Sequence, residues 1–157
     1  MPQLQIKRIK LAISFLLLAF STINPVLAQQ KLAVKKGSAS SEIVFENTTW
    51  KEVAAKAKKE GKYIFVDAYA TWCAPCKLLK STTFKNKKAA IYFNQNFVNY
   101  TADMEKGEGI ALAEQWDITA YPALLFFNPE GKMVLKQVGY VGAAQLVEFG
   151  QQAMAKP

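Results

Sequence analysis

The two cysteines of this chain lie three positions apart, where a strand pattern gives way to a helix pattern. Before them, residues 62–70 (KYIFVDAYA) form a mostly apolar, β-rich run, which predicts a buried central strand. After them, residues 77–84 (KLLKSTTF) predict a helix with Cys76 in its first turn. A buried strand that passes directly into a helix is typical of α/β folds, and it places Cys73 and Cys76 at the junction.

Three interpretations of the cysteine pair differ in their chemistry. A structural zinc site needs four ligands, and with two cysteines and no histidine zinc would require a dimer or carboxylate ligands. A structural disulfide would close a very short loop, which removes little entropy from the unfolded chain. A redox pair fits better, because the free N–H groups and the dipole at a helix start stabilise a thiolate on Cys73. Pro75 suits the first helical turn, where a missing N–H costs least.

The N-terminus has the layout of a secretory signal. A basic segment precedes an apolar h-region at 11–20, and small residues lead to a cleavage position after Ala28. We therefore expect residues 1–28 to be a signal peptide and residues 29–41 to be a flexible lead-in. The alternative is a retained membrane anchor, because the uncharged run over 11–30 has about the length that spans a bilayer.

Composition limits the classes of function. Removal of the signal leaves 129 residues, enough for one packed domain, with 17 basic and 12 acidic residues and a net charge of +5. Nearly all the basic residues are dispersed lysines, whereas proteins that read nucleic acids usually use arginine. We therefore expect no nucleic-acid partner. The absence of histidine excludes His-based catalytic triads.

Strand and helix patterns alternate until a final hairpin, which predicts one α/β domain over residues 42–157. Its central mixed sheet should have helices on both faces. Thr49 and Glu52 form a capping-box signal, Gly61 a helix stop, and Asn86 a helix cap. The predicted strands are 42–46, 62–70 and 97–103, with a hairpin over 119–139 that turns at 128–131, and the predicted helices are 49–60, 77–84, 86–96, 110–117 and 142–154.

Two motifs give the chain a resemblance to the thioredoxin superfamily. They are VDAYATWCAPCK (66–77) and TAYPALLFF (119–127), and the resemblance extends over about 43–155. The long segment after the cysteines is most similar to the thioredoxin-like domain of bacterial Dsb-type thiol:disulfide interchange proteins. The resemblance implies a thioredoxin-like fold in which Pro122 forms a cis-proline loop and Gly139 is the glycine of the last strand region.

The resemblance also implies roles for the site residues. Cys73 would be the attacking thiolate, expected at the exposed edge of the turn, and Cys76 would resolve the mixed disulfide. Asp67, six positions before the first cysteine, would be the base that accepts the proton of Cys76 directly or through water. Burial should raise the pKa of Asp67, although a solvent-facing aspartate at the strand end is the alternative.

Other residues would bind the substrate or tune the cysteine pair. Trp72, Tyr121 and Pro122 are the candidate substrate contacts, although a packing role for Trp72 stays open. The candidate modulating residues are Ala74, Pro75 and Lys77.

The chain departs from the family pattern at three places. Ala74 replaces the usual glycine, Tyr121 is larger than the usual residue, and the strand at 98–103 lacks the lysine that many thioredoxins keep near the buried acid.

These features predict an exported thiol-disulfide oxidoreductase, periplasmic in a Gram-negative bacterium. We expect a reductase or electron relay rather than an oxidase, because the Ala-Pro dipeptide is close to the reducing type and histidine is absent. We expect a monomer without metal or cofactor that acts on disulfide-containing or thiol proteins and takes electrons from a membrane donor. The alternatives are a peptide-binding holdase with a resting disulfide, a disulfide-forming oxidase, and a specialist in cytochrome maturation.

Overall fold

A computed structural model of the chain describes residues 40–156. Helices and strands alternate along these residues up to a final β-hairpin and a last helix. The helices are α1 (Trp50–Glu60), α2 (Ala74–Ser81), α3 (Lys87–Asn96), α4 (Gly109–Gln115) and α5 (Ala143–Met154), with a short 3-10 turn at Thr83–Lys85. The strands are β1 (Tyr63–Tyr69), β2 (Phe97–Asp103), β3 (Ala123–Phe127) and β4 (Met133–Val138).

The four strands form one mixed sheet in the order β2-β1-β3-β4. Strand β1 pairs with β2 in parallel and with β3 antiparallel, and β3 pairs antiparallel with β4. A parallel pair requires a crossover connection, and the segment from α2 to α3 supplies it between β1 and β2. Strand β1 is therefore central, and in this register Asp67 lies between Thr101 of β2 and Leu124 of β3.

Side-chain alternation along β1 divides the core between the two faces of the sheet. Ile64, Val66 and Ala68 belong to a cluster that α1 and α4 cover. Phe65 belongs to a second cluster, which includes residues of α2, α3 and α5. Since Asp67 is two residues after Phe65, its side chain points to the face that α2 covers. The predicted mixed sheet with helices on both faces is confirmed.

The capping signals of the sequence mark the helix boundaries. The hydroxyl of Thr49 accepts from the backbone N–H of Glu52, whose carboxylate accepts from the N–H of Thr49, so α1 begins with the predicted capping box. Gly61 ends α1 with a positive φ of 63°, a conformation that glycine adopts without steric cost. The side chain of Asn86 caps α3 as predicted by accepting two backbone N–H bonds.

Residues 42–46 were predicted to be a strand, and this prediction is wrong. The segment makes one isolated parallel bridge, from Glu46 to Tyr100 beside strand β2. Ile43 donates its N–H to the carbonyl of Phe84 (2.8 Å). Two asparagine side chains bind Val44: Asn94 accepts from its N–H, and Asn99 donates to its carbonyl. Side-chain bonds thus replace a backbone ladder along the edge of the sheet.

The helix predicted at 77–84 begins three residues earlier, at Ala74, and ends at Ser81. The cysteine motif forms the first turn of this helix, since Cys73 is the N-cap and Pro75 lies within that turn. The carbonyl of Leu78 accepts from the hydroxyl of Thr82, which ends the regular helix before the 3-10 turn. Both cysteines therefore belong to the helix start.

The predicted signal peptide (1–28) and most of the predicted lead-in (29–41) lie outside the described residues. Within 40–156, none of the helices has the length and hydrophobicity needed to cross a bilayer.

Phe65 should be essential for stability, because it is fully buried and its ring contacts Phe93 and Phe126 at centroid distances of 4.7 and 5.3 Å. We expect Phe65→Ala to lower the free energy of unfolding by about 3–5 kcal/mol, measured by urea denaturation of the oxidised protein. The control is Ile110→Ala, because Ile110 is 60% exposed on α4 and should change stability by about 0.5 kcal/mol or less. Equal losses in the two variants would contradict the assignment of the core.

Candidate active site

The cysteines form a disulfide at the turn between β1 and α2, with an S–S distance of 1.99 Å. The N–H of Cys73 donates to the carbonyl of Ala70 (3.1 Å), which closes the turn after the strand. The backbone N–H of Cys76 donates to Sγ of Cys73 (3.1 Å), so the first sulfur is itself the N-terminal cap of the helix. An amide aimed at this sulfur would stabilise negative charge on it once the disulfide is opened.

The disulfide is buried even though it lies in the turn that follows the end of β1. Cys73 is 2% exposed and Cys76 is 1% exposed, so the prediction that Cys73 lies at an exposed edge is wrong for the oxidised state. Ala70 and Tyr121 pack against the pair and cover it. The two sulfurs differ because the backbone amide of Cys76 donates to Sγ of Cys73, and they do not differ in exposure.

The turn is nevertheless open to approach from solvent, since the residues that flank the sulfurs are exposed. Ala74 and Pro75 occupy the first helical turn, and Lys77 follows Cys76. No ion pair involves Lys77 among residues 40–156, and its influence on the pair stays a prediction.

The loop before β3 carries the second motif to the disulfide. The Tyr121-Pro122 peptide bond is cis, as the sequence predicts. The half-buried ring of Tyr121 packs against the cysteine cluster, and Pro122 is fully buried. Gly139, with a φ of 98°, donates its N–H to the carbonyl of Pro122 (2.8 Å) and so ties the end of β4 to this loop. Tyr121 therefore shields the pair.

Trp72 presents a large apolar surface beside the disulfide. Its side chain is 66% exposed, so Trp72 is not part of the buried core. The indole Nε1 donates to the Glu105 carboxylate at 3.0 and 3.1 Å, and the ring meets that of Tyr121 edge-to-face at 5.9 Å. These two contacts hold an exposed aromatic side chain in one orientation.

Asp67 is buried, which excludes the solvent-facing alternative. Oδ2 accepts from the hydroxyl of Thr101 (3.0 Å) and lies 3.7 Å from Nζ of Lys80, while Oδ1 has no hydrogen-bond partner in the described part of the chain. Burial raises the pKa of Asp67 to about 6, against the opposing effects of Lys80 and Thr101. The carboxyl group can therefore gain or lose a proton near neutral pH.

Sequence reasoning missed Lys80, Thr101 and Glu105. Lys80 is four residues after Cys76, so helical periodicity could have placed it on the face of α2 that covers the sheet. The position of Thr101 beside Asp67 can be recognised only when the parallel register of β1 and β2 is known. Glu105 lies in the loop after β2, and no local sequence signal connects it to Trp72.

Comparison with known proteins agrees with this geometry. The model of the thioredoxin-like domain family matches residues 50–153, which include both cysteines, Asp67 and the cis-proline. The chain belongs to the thioredoxin-like domain family.

Several thiol:disulfide interchange proteins named DsbD are relatives of this thioredoxin-like chain. That of Campylobacter jejuni is 27% identical over 158 residues, which cover 91% of this chain and 27% of that protein. That of Yersinia pestis is 27% identical over 105 residues, which cover 65% of this chain and 18% of that protein. The chain thus spans between 18% and 27% of the length of these two relatives.

Solved structures share the fold. A candidate disulphide-isomerase from Bacteroides thetaiotaomicron is 41% identical, with a TM-score of 0.65, over 72% of this chain and 93% of that one. The oxidised C-terminal domain of Neisseria meningitidis DsbD superimposes with a TM-score of 0.58 at 21% identity, over 71% of this chain and 98% of that one. The 21% likeness supports the fold alone, whereas the 41% match supports the family as well.

Asp67 should make the stability of the oxidised protein depend on pH. Its folded pKa of about 6 exceeds the unfolded value of 3.8, so its contribution is fully present below about pH 4 and is lost as pH rises through 6. We expect the wild type to lose about 2–3 kcal/mol of unfolding free energy between pH 4 and pH 7.5, relative to Asp67→Asn. Urea denaturation at the two pH values measures this difference. Parallel pH dependences for the two proteins would show that the carboxyl is not perturbed.

Proposed function

We propose that this chain is an exported thiol-disulfide oxidoreductase that reduces or exchanges disulfides in protein substrates through a Cys73/Cys76 cycle. The carrying observation is the hydrogen bond from the Cys76 N–H to Sγ of Cys73, within a disulfide at the start of a helix. A structural cross-link has no need of a donor aimed at one of its sulfurs, whereas a nucleophilic thiolate does. Membership of the thioredoxin-like domain family supports the same activity.

The reduced pair would act in two steps. The thiolate of Cys73 attacks a substrate disulfide, which forms a mixed disulfide and releases one substrate sulfur as a thiolate that takes a proton from water. Cys76 then gives its proton to the Asp67 carboxylate and attacks Sγ of Cys73. The Cys73–Cys76 bond forms, the mixed bond breaks, and the second substrate sulfur leaves as a thiolate. The substrate gains two electrons, and the cysteine pair loses them.

Substrate contact would involve the exposed ring of Trp72, held by Glu105, and the loop of Tyr121 and Pro122. An extended substrate segment beside a cis-proline loop can pair with its backbone, as in strand addition. The approach over Trp72 is apolar, so we expect the partner to present an apolar residue beside its disulfide.

We further propose export and a reducing direction. Residues 1–28 have the pattern of a secretory signal, and an exported reductase needs an electron donor, for which we propose a membrane protein. The similarity to parts of proteins named as thiol:disulfide interchange proteins supports disulfide exchange, and the Ala-Pro dipeptide between the cysteines supports the reducing direction. The periplasm is the expected compartment in a Gram-negative bacterium.

The order of the two cysteines can be tested by trapping. We expect Cys76→Ser to accumulate a covalent complex with a disulfide-containing substrate such as insulin, because Cys73 attacks and nothing resolves the bond. The matched variant Cys73→Ser should trap little, because it removes the sulfur that the backbone amide of Cys76 stabilises as a thiolate. Non-reducing electrophoresis followed by mass spectrometry identifies the bonded cysteine. Trapping through Cys76 in the Cys73→Ser variant would reverse the roles.

Insulin reduction in the presence of a chemical reductant separates the enzyme from a peptide-binding holdase. We expect the wild type to accelerate the reduction and the double variant Cys73→Ser/Cys76→Ser to lose the acceleration completely. If the double variant instead kept the full function of the protein in cells, a binding role for the groove would replace the enzymatic one.

A further inference from the structure

The only ion pair of Asp67 within residues 40–156 is with Lys80, on the helix that begins with the cysteines. Lys80 Nζ lies 3.7 Å from Oδ2 of Asp67 and 3.0 Å from the centre of the Tyr69 ring. The lysine side chain is 38% exposed, whereas the carboxyl is fully buried. One side chain thus reaches both the solvent and the buried acid, and the Tyr69 ring holds its ammonium group in place.

Lys80 and Thr101, which both contact the Asp67 carboxyl, also line an open cavity of about 260 Å³. The other residues that line the cavity are Glu42, Ile43, Phe45 and Phe84. A space of this size admits water to the two polar groups that contact the acid. The acid itself is sealed, and its second oxygen has no partner in the described part of the chain.

The charges around Asp67 can be assigned element by element. Strand β2 contributes the Thr101 hydroxyl, strand β3 contributes the apolar Leu124, and helix α2 contributes the Lys80 ammonium. Asp103 is a second carboxylate that acts on Lys80, and Glu42 lies across the cavity. Lys80 is therefore the one cation within 4 Å of the acid among residues 40–156.

We infer that Lys80 is a positioning residue that keeps Asp67 in its carboxylate form, ready to take the proton of Cys76, and that the adjoining cavity is where this proton then leaves to water. The inference rests on the proposed function, in which Cys76 must lose a proton when it resolves the mixed disulfide. The strand at 98–103 lacks the lysine expected near the acid, and α2 supplies a cation instead.

An opposite charge within about 4–6 Å typically lowers the pKa of a carboxyl group by one unit or more. In Lys80→Met, which keeps the length of the side chain, the Asp67 pKa should rise by about one unit. The rate at which Cys76 resolves the mixed disulfide falls as the pH is lowered, and the midpoint pH of this fall should rise by the same amount. Lys80→Arg should leave both the Asp67 pKa and the midpoint pH of the resolution rate at their wild-type values, because the positive charge is kept. Lys85→Met removes an exposed lysine just beyond the same helix and is the control for overall charge.

Two measurements on the full chain test the inference. The first is titration of the Asp67 carboxyl by ¹³C NMR, assigned with Asp67→Asn. The second is stopped-flow reaction of the reduced protein with an aromatic disulfide of 5-thio-2-nitrobenzoate, in which Cys73 releases the first thiolate and resolution by Cys76 releases the second. The rate of the second release against pH reports the resolution step alone.

Upward shifts of about one unit in both measurements for Lys80→Met, with none for Lys80→Arg or Lys85→Met, would support the inference. It would be overturned by an unchanged carboxyl titration, and equally by a shifted titration with an unchanged rate profile. A wild-type protein that releases the first thiolate but never the second would instead contradict the proposed function. The carboxyl titration would still measure the effect of Lys80 on Asp67 in that case.

Discussion

The hydrogen bond from the Cys76 amide to Sγ of Cys73 is the contact around which the site is organised. It exists because β1 ends directly before α2, so a sulfur caps the helix where a Ser or Asp side chain usually would. The strand that delivers the motif is central and buried on both faces, which fixes the turn against the core. The reactivity that we propose for Cys73 is thus a consequence of how the fold passes from sheet to helix.

The same strand places an acid beneath the helix. Asp67 follows Phe65 on the face that α2, α3 and α5 cover, so the cost of desolvating its carboxylate is large. Thr101 and Lys80 offset part of this cost without removing it, which leaves the pKa of the acid at about 6. A carboxyl that is poorly satisfied in the resting protein is suited to exchanging a proton during turnover.

Much of this architecture follows from local sequence patterns. The capping box at Thr49, the αL position of Gly61 and the apolar run of β1 each have a short-range physical cause, and each boundary lies within a residue or two of its prediction. Segment 42–46 has the apolar pattern of a strand, but several of its hydrogen bonds go to the side chains of Asn94 and Asn99, which are distant in sequence. Contacts such as Lys80 with Asp67 and Trp72 with Glu105 depend on tertiary placement, which no short window encodes.

We propose that the Cys73–Cys76 couple works as a reductant. Its direction depends on how much the Cys73 thiolate is stabilised relative to the disulfide. One helix amide donates to Sγ of Cys73, and the Tyr121 ring packs against the pair. The most direct measurement is the equilibrium potential of this couple in glutathione buffers, followed by trapping and counting free thiols. We predict a value near thioredoxin's, about −270 mV, and a value near −120 mV, typical of a strong oxidant, would contradict the reducing direction.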